Sequence, residues 1–349
     1  MIRSFLFFIF LALIAFGTYV TVMGARIGGA FVALEERLTA QCERVRIAPG
    51  AEDIVIDRAS GIVFVSAADR RAGKDAERGG VYVFNASGER NVWLASQDAP
   101  EDFQPHGIDL WEGENGEKRL FAVNHPLRGG HAMEIFDVAE NGALTHLETV
   151  TSPAMISPND VAAVGARTFY FTNDRGFTEG RVAQAERKFM LPLSNAYFFD
   201  GAKALEVAQW LNAANGIDVS LDEQTVYIAE AVGRKVGVYA RNMASGALTK
   251  LRSIPIATNP DNIDVAPDGA IWIGAHPKIF EYLKHVKDMT APSPSQVLRL
   301  DPSTGALEDV LVSANGAYSA STIGAAHGDA FYVGSVFDDH ILACPTARP

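Results

Sequence analysis

Ser157-Pro-Asn-Asp-Val-Ala-Ala-Val-Gly165 sets an amide and a carboxylate, Asn159 and Asp160, side by side at the start of a short apolar run. Polar groups in such a place are costly unless something binds them. The pattern recurs at Glu52-Asp53, at His106 in Phe103-Gln-Pro-His-Gly-Ile108, at Asn215 in Ala214-Asn-Gly-Ile217 and at Asp261-Asn262 in Pro260-Asp-Asn-Ile263. The intervals, counted from Glu52 through His106, Asn159, Asn215 and Asp261, are 54, 53, 56 and 46 residues, and a further 60 reaches Ser319-Ala-Ser-Thr322. A period near 50 in a β-rich chain predicts a propeller with one supersecondary unit per blade. There the inner strands begin around a shared axis, so residues distant in sequence meet at one central ion.

The bulk numbers suit that architecture. With 349 residues, 48% of them hydrophobic, the chain can bury a large core in a single closed β domain. A formal net charge of −12 argues against nucleic acid as a partner, because phosphate binding needs clustered Lys and Arg. The N-terminus differs in kind: Ser4 to Met23 carries no charge and is flanked by Arg3 and Arg26, about the length that spans a bilayer. An uncleaved membrane anchor and a cleavable signal peptide both fit residues 1–25, and either implies export. Residues 26–41, with Phe31, Val32, Leu34 and Leu38, read as an amphipathic helix that rests on the membrane or as a stalk helix packed on the domain. Residues 42–349 form the propeller. The only cysteines, Cys42 and Cys344, stand at its two edges, and an exported chain favours a disulfide between them that closes the ring.

Short strands with turn punctuation fill the rest, among them Ile54-Val-Ile56, Val81-Tyr-Val-Phe84, Glu134-Ile-Phe-Asp-Val138 and Ala270-Ile-Trp-Ile273. Glu179 to Leu193 breaks the rhythm as a helical insertion, and Met289 to Pro294 reads as a linker before the last blade.

The recurrent residues Glu52, Asp53, Asn159, Asp160, Asn215, Asp261 and Asn262 are all hard oxygen donors, and no Cys or His pair has zinc spacing. Singly each is an ordinary turn former; repeated once per blade, they point to calcium, which takes six to eight oxygens in loose geometry. Successive side chains of a strand face opposite sides, so Glu52-Asp53 and Asn159-Asp160 would each serve two stacked ions. His106 and His125 (in Val123-Asn-His-Pro126) stand at strand ends, either as structural histidines or as a base and its partner. His276 is expected near the channel. His131, His146, His285, His327 and His340 fall in loops or unclear contexts.

Gly50-Ala-Glu-Asp53, Phe103 to Ile108, Val123 to Pro126, Asn159 to Gly165, Thr172-Asn-Asp174, Ala214 to Ile217, Tyr227-Ile-Ala-Glu230, Pro260 to Ile263 and His276-Pro277 together resemble the serum paraoxonase (arylesterase/lactonase) family, in unbroken order over residues 42–344. The resemblance implies an all-β, six-bladed β-propeller behind an N-terminal hydrophobic helix, with two Ca2+ ions. It implies a catalytic ion held by Glu52, Asn159, Asn215, Asp261 and Asn262, and a structural one held by Asp53, Asp160 and the carbonyl of Ile108. His106 would be the base that activates water, with His125 beside it. The implied substrates are lactones and aryl esters, and for some members organophosphates. Arg175 and Ala275 depart from the family pattern, where His and Cys are common. A gluconolactonase- or strictosidine-synthase-like propeller, or a non-catalytic exported binding propeller held together by calcium, are the alternatives. The expected partners are a small ester or lactone and, through the N-terminus, a membrane.

Overall fold

The computed structural model describes residues 2–37, 41–88 and 90–346. Six four-stranded sheets close into a ring, giving the propeller that the period predicts, with the six blades that the resemblance implies. The inner strands are Ala51–Asp57, Pro105–Glu112, Pro158–Gly165, Ala214–Val219, Asn259–Val265 and Ser321–His327. Each touches the inner strands of the blades on either side.

The period-2 alternation of the strands builds the core. In the first blade Ile62 and Phe64 pack toward the second blade, while Val63 and Val65 pack toward the sixth. Each blade thus feeds two apolar layers, one with each neighbour, and six such layers run around the ring. Closure uses both ends of the chain. Glu43–Arg46 is the outer strand of the last blade, pairing antiparallel with His340–Ala343, and Cys42 is disulfide-bonded to Cys344.

The N-terminal helix α1 runs from Ile2 to Ile27, and its Phe7–Ile27 stretch is long and apolar enough to cross a membrane. The amphipathic helix expected over residues 26–41 does not form among residues 28–37, which make a turn and then extended chain; residues 38–40 lie outside the described residues. Gly28-Gly29 is the reason. Gly29 has φ +72°, and a Cβ there would stand 1.8 Å from the Pro277 carbonyl oxygen, so the chain turns tightly against the fifth blade. Lys278 Nζ then donates to the carbonyls of Gly29 and Val32 at 2.6 and 2.7 Å.

The helical insertion is present as α2, Gly180–Phe189, ended by Met190 in the left-handed region. A third helix, α3, spans Ile279–Lys287 inside the fifth blade. The segment Met289 to Pro294 follows α3 and joins the second and third strands of that blade, rather than preceding the last one. The long final interval of the period absorbs this insertion.

Candidate active site on the ring axis

Every inner strand carries a β-bulge at the same place. Pairing with the second strand skips between Ala51 and Ile54, Pro105 and Ile108, Pro158 and Val161, Ala214 and Ile217, Pro260 and Ile263, and Ser321 and Gly324. In each case two residues oppose one, which frees them from the ladder and re-aims their side chains. The six freed pairs are Glu52-Asp53, His106-Gly107, Asn159-Asp160, Asn215-Gly216, Asp261-Asn262 and Thr322-Ile323. The structure therefore gathers the sequence-predicted ligands and His106 into one ring of equivalent positions.

Room on the axis is shared by alternation. Asp53, Asp160 and Asn262 occupy the second bulge position in the odd blades, and Gly107 and Gly216 occupy it in the second and fourth. A Cβ on Gly107 would lie 2.4 Å from Asp160 Oδ1, and one on Gly216 2.7 Å from the Asp261 carbonyl oxygen. These glycines make space for their neighbours' polar groups.

The upper layer is buried and short of donors. Glu52 is 1% exposed; its Oε1 accepts from Asn262 Nδ2 at 2.8 Å and lies 3.5 Å from His106 Nε2. Four buried oxygens from four blades, Glu52 Oε2, Asn159 Oδ1, Asn215 Oδ1 and Asn262 Oδ1, have no hydrogen-bond partner, although the Arg70 guanidinium stands 3.8 Å from Glu52. Leaving a buried acceptor unpaired costs about 1–3 kcal/mol, so four in one place call for a ligand. Asp261 Oδ2 meets His276 Nε2 at 2.9 Å, and the His276 ring stacks on Tyr282 of α3 with centroids 4.2 Å apart. Thr322, in the sixth blade, donates instead to the Glu52 backbone carbonyl.

Below it, Asp53 Oδ2 accepts from the Ile108 backbone N–H at 2.7 Å and Asp160 Oδ2 from that of Ile217 at 2.8 Å. Burial pushes the carboxyls of both well above the usual range, and the charge of Glu52 on Asp53 and of Asp53 on Asp160 pushes the same way. Burial would also raise Glu52, but His106, Arg70 and Asn262 together hold its carboxyl below the ordinary value. A cation between Asp53 and Asp160 would relieve both strains. Among the described residues no three His, Cys, Asp or Glu side chains form a metal cage by themselves; amides supply much of this donor set. Hard carboxylate and amide oxygens are what calcium takes.

Beside Glu52, His106 Nδ1 lies 2.9 Å from His125 Nε2, and His125 Nδ1 lies 2.9 Å from His131 Nδ1. His125 follows Asn124, whose Oδ1 accepts from the Gln104 backbone and whose Nδ2 donates to buried Glu134. Burial of the ring, then the neighbouring His106, His131 and Arg70, push the His125 imidazole well below its ordinary value, so it is neutral near pH 7.

Sequence reasoning missed His131, Tyr282, Arg70 and a deeper set of carboxylates. Asp109 Oδ2 accepts from Ala163 N–H and Asp218 Oδ2 from Val265 N–H, each at 2.7 Å, and Arg58 pairs with Asp264. Burial is the main cause that pushes Asp109 up to about 7. These aspartates do fit the inner-strand repeat, each two residues past the bulge pair of the second, fourth or fifth blade.

A family model described as Arylesterase matches residues 87–344 of this chain. Serum paraoxonase/arylesterase 1 of Mus musculus is 35% identical over 247 residues, covering 67% of this chain and 66% of that protein. Serum paraoxonase/arylesterase 2 of Homo sapiens is 31% identical over 301 residues, covering 79% of this chain and 82% of its own length. Among solved structures, a luciferin-regenerating enzyme superposes with TM-score 0.57 at 14% identity, covering 90% of this chain and 95% of that one. A gluconolactonase of Xanthomonas campestris gives TM-score 0.57 at 17% identity with the same coverages. These two likenesses speak to the propeller fold.

Proposed function

The chain belongs to the arylesterase family, and on that premise we propose that it is a calcium-dependent hydrolase of lactones and aryl esters. The observation that carries the reading is the set of four unpartnered buried oxygens converging from four blades on the axis. Glu52, Asn159, Asn215, Asp261 and Asn262 would hold a catalytic Ca2+, and Asp53, Asp160 and Ile108 a structural one. A bound divalent cation supplies Lewis-acid polarisation of the ester carbonyl.

The chain's own residues do the rest. His106 presents Nε2 toward Glu52 and the axis, where it takes a proton from the attacking water. Its Nδ1 meets His125 Nε2, a contact that steadies the ring and, with the proton on Nδ1, leaves Nε2 free to accept. His276, stacked on Tyr282, orients the Asp261 carboxylate. The fold of α1 and the Cys42–Cys344 disulfide support an exported protein attached to a membrane or secreted from it.

One hydrolysis screen over lactones, phenyl acetate and a phosphotriester, with and without a chelator, tests the reading. Turnover of the first two, abolished by chelation and restored by calcium, is the expected result. Calcium-dependent melting without turnover on any of them would instead mark a binding propeller. His106→Gln is expected to cut turnover by about a hundredfold or more while leaving the fold intact.

A further inference from the structure

Three imidazoles run in one unbroken line from the axis to the rim. His106 stands on the inner strand of the second blade, His125 at the end of the adjoining strand Lys118–Asn124, and His131 at the far end of the hairpin loop just before Ala132–Val138. The two contacts are each 2.9 Å, and the ring centroids are 5.0 and 4.6 Å apart. His131 is half-buried, so the line ends at solvent. Nothing in the ligand set requires it.

We propose that His131 is the solvent end of a three-histidine proton relay that serves the hydrolytic site, an inference that rests on reading His106 as the base.

The atoms impose a direction. With Nε2 of His106 free to accept, its proton lies on Nδ1 and is donated to His125 Nε2. His125 then carries its own proton on Nδ1 and donates it to His131 Nδ1, which leaves the His131 proton on Nε2. All three rings are neutral in this state, and each contact has one donor and one acceptor. When His106 Nε2 takes a proton from water, its Nδ1 proton passes to His125 Nε2, the His125 Nδ1 proton passes to His131 Nδ1, and the His131 Nε2 proton leaves to solvent. One proton enters and one departs, while hydroxide adds to the carbonyl. When the leaving oxygen departs, the line runs backwards: His106 Nε2 protonates it, and His131 Nε2 regains a proton from solvent. The tautomers are then reset.

The surroundings favour passage over storage. Burial of the His125 ring, with Arg70 close by, disfavours a positive charge resting in the middle of the line. At the outer end burial, the largest influence, holds the His131 imidazole below its ordinary value, against the opposing charge of Asp174, which itself accepts from Ser157 and lies 3.6 Å from Arg175. His131 touches no reacting atom. It is a positioning and proton-passing residue that acts through His125.

The calcium-loaded full-length protein tests this with His131→Ala and His131→Gln. Both are expected to lower kcat about tenfold or more with KM within about twofold, because the loss falls on proton transfer. Added imidazole is expected to restore kcat of His131→Ala while leaving the wild type unchanged. The glutamine amide can accept from His125 Nδ1 but cannot pass a proton on, so wild-type kcat in His131→Gln would overturn the relay. Wild-type kcat in His131→Ala, or a slowed variant indifferent to imidazole, would overturn it too. If His106→Gln proves fully active, the base reading itself fails; if it is inactive while the His131 variants are normal, only the relay does.

Discussion

Asn159, Asn215 and Asn262 each bury a carbonyl oxygen that no protein donor reaches, and Glu52 Oε2 shares that condition. Glu52 also brings a full negative charge to this layer, so Glu52→Gln removes the attraction for a dication while nearly keeping the volume. Calcium affinity is expected to fall at least tenfold and activity with it, read by a calcium titration of the melting temperature; an unchanged titration would remove Glu52 from the ligand set. His125 supplies a pH prediction. Its folded-state value lies below that of the unfolded chain, so below about pH 6.5 the unfolded state binds the extra proton and stability falls as pH falls. At saturating calcium, the loss of urea midpoint between pH 7 and pH 5 is expected to be smaller in His125→Gln than in the wild type. At this scale the ligands were legible because each opens an apolar run at a regular interval. His131 was not, because it lies in a hairpin loop outside the repeat, and only the loop's return brings it to His125.

The bulge is the element that turns a strand propensity into a site. Strict alternation would send Glu52 and Asp53 to opposite faces, but two residues set against one release both from the ladder in all six blades. Sequence alone shows the polar pair and hides the bulge, since no local residue announces the extra position. Gly107 tests the geometry. Gly107→Ala would press a methyl into Asp160, so a loss of about 1–3 kcal/mol together with weaker calcium binding is expected from melts with and without calcium; a neutral result would show that the axis is roomier than this. The helices divide the same way. α2 was visible in its apolar spacing, whereas α3 is only nine residues long and starts just after His276-Pro277, where the strand pattern and the proline pull the reading elsewhere. The expected helix after α1 failed because Gly28-Gly29 docks against the fifth blade instead.

A ring of six blades has one seam, and here it is fastened by a borrowed strand and by Cys42–Cys344, 302 residues apart. Opening so long a loop is expected to cost about 2–5 kcal/mol, so the Cys42→Ser/Cys344→Ser pair should melt well below the wild type, by calorimetry at equal calcium. The propeller and its axial positions could be read from spacing and the seam from the two cysteines, because a closed ring repeats one environment; the six blades came from the family resemblance. The orientation of α1 against the fifth blade could not, because it depends on Lys278 and Gly29 meeting across 249 residues. Fold and activity both depend on oxygens from separate blades holding divalent cations on the axis. Calcium titration of the stripped full-length protein, by calorimetry, tests that most directly. Two ions bound per chain, falling to one in Asn159→Ala/Asn262→Ala, is the predicted result; no calcium binding, or a stoichiometry untouched by that double change, would contradict it.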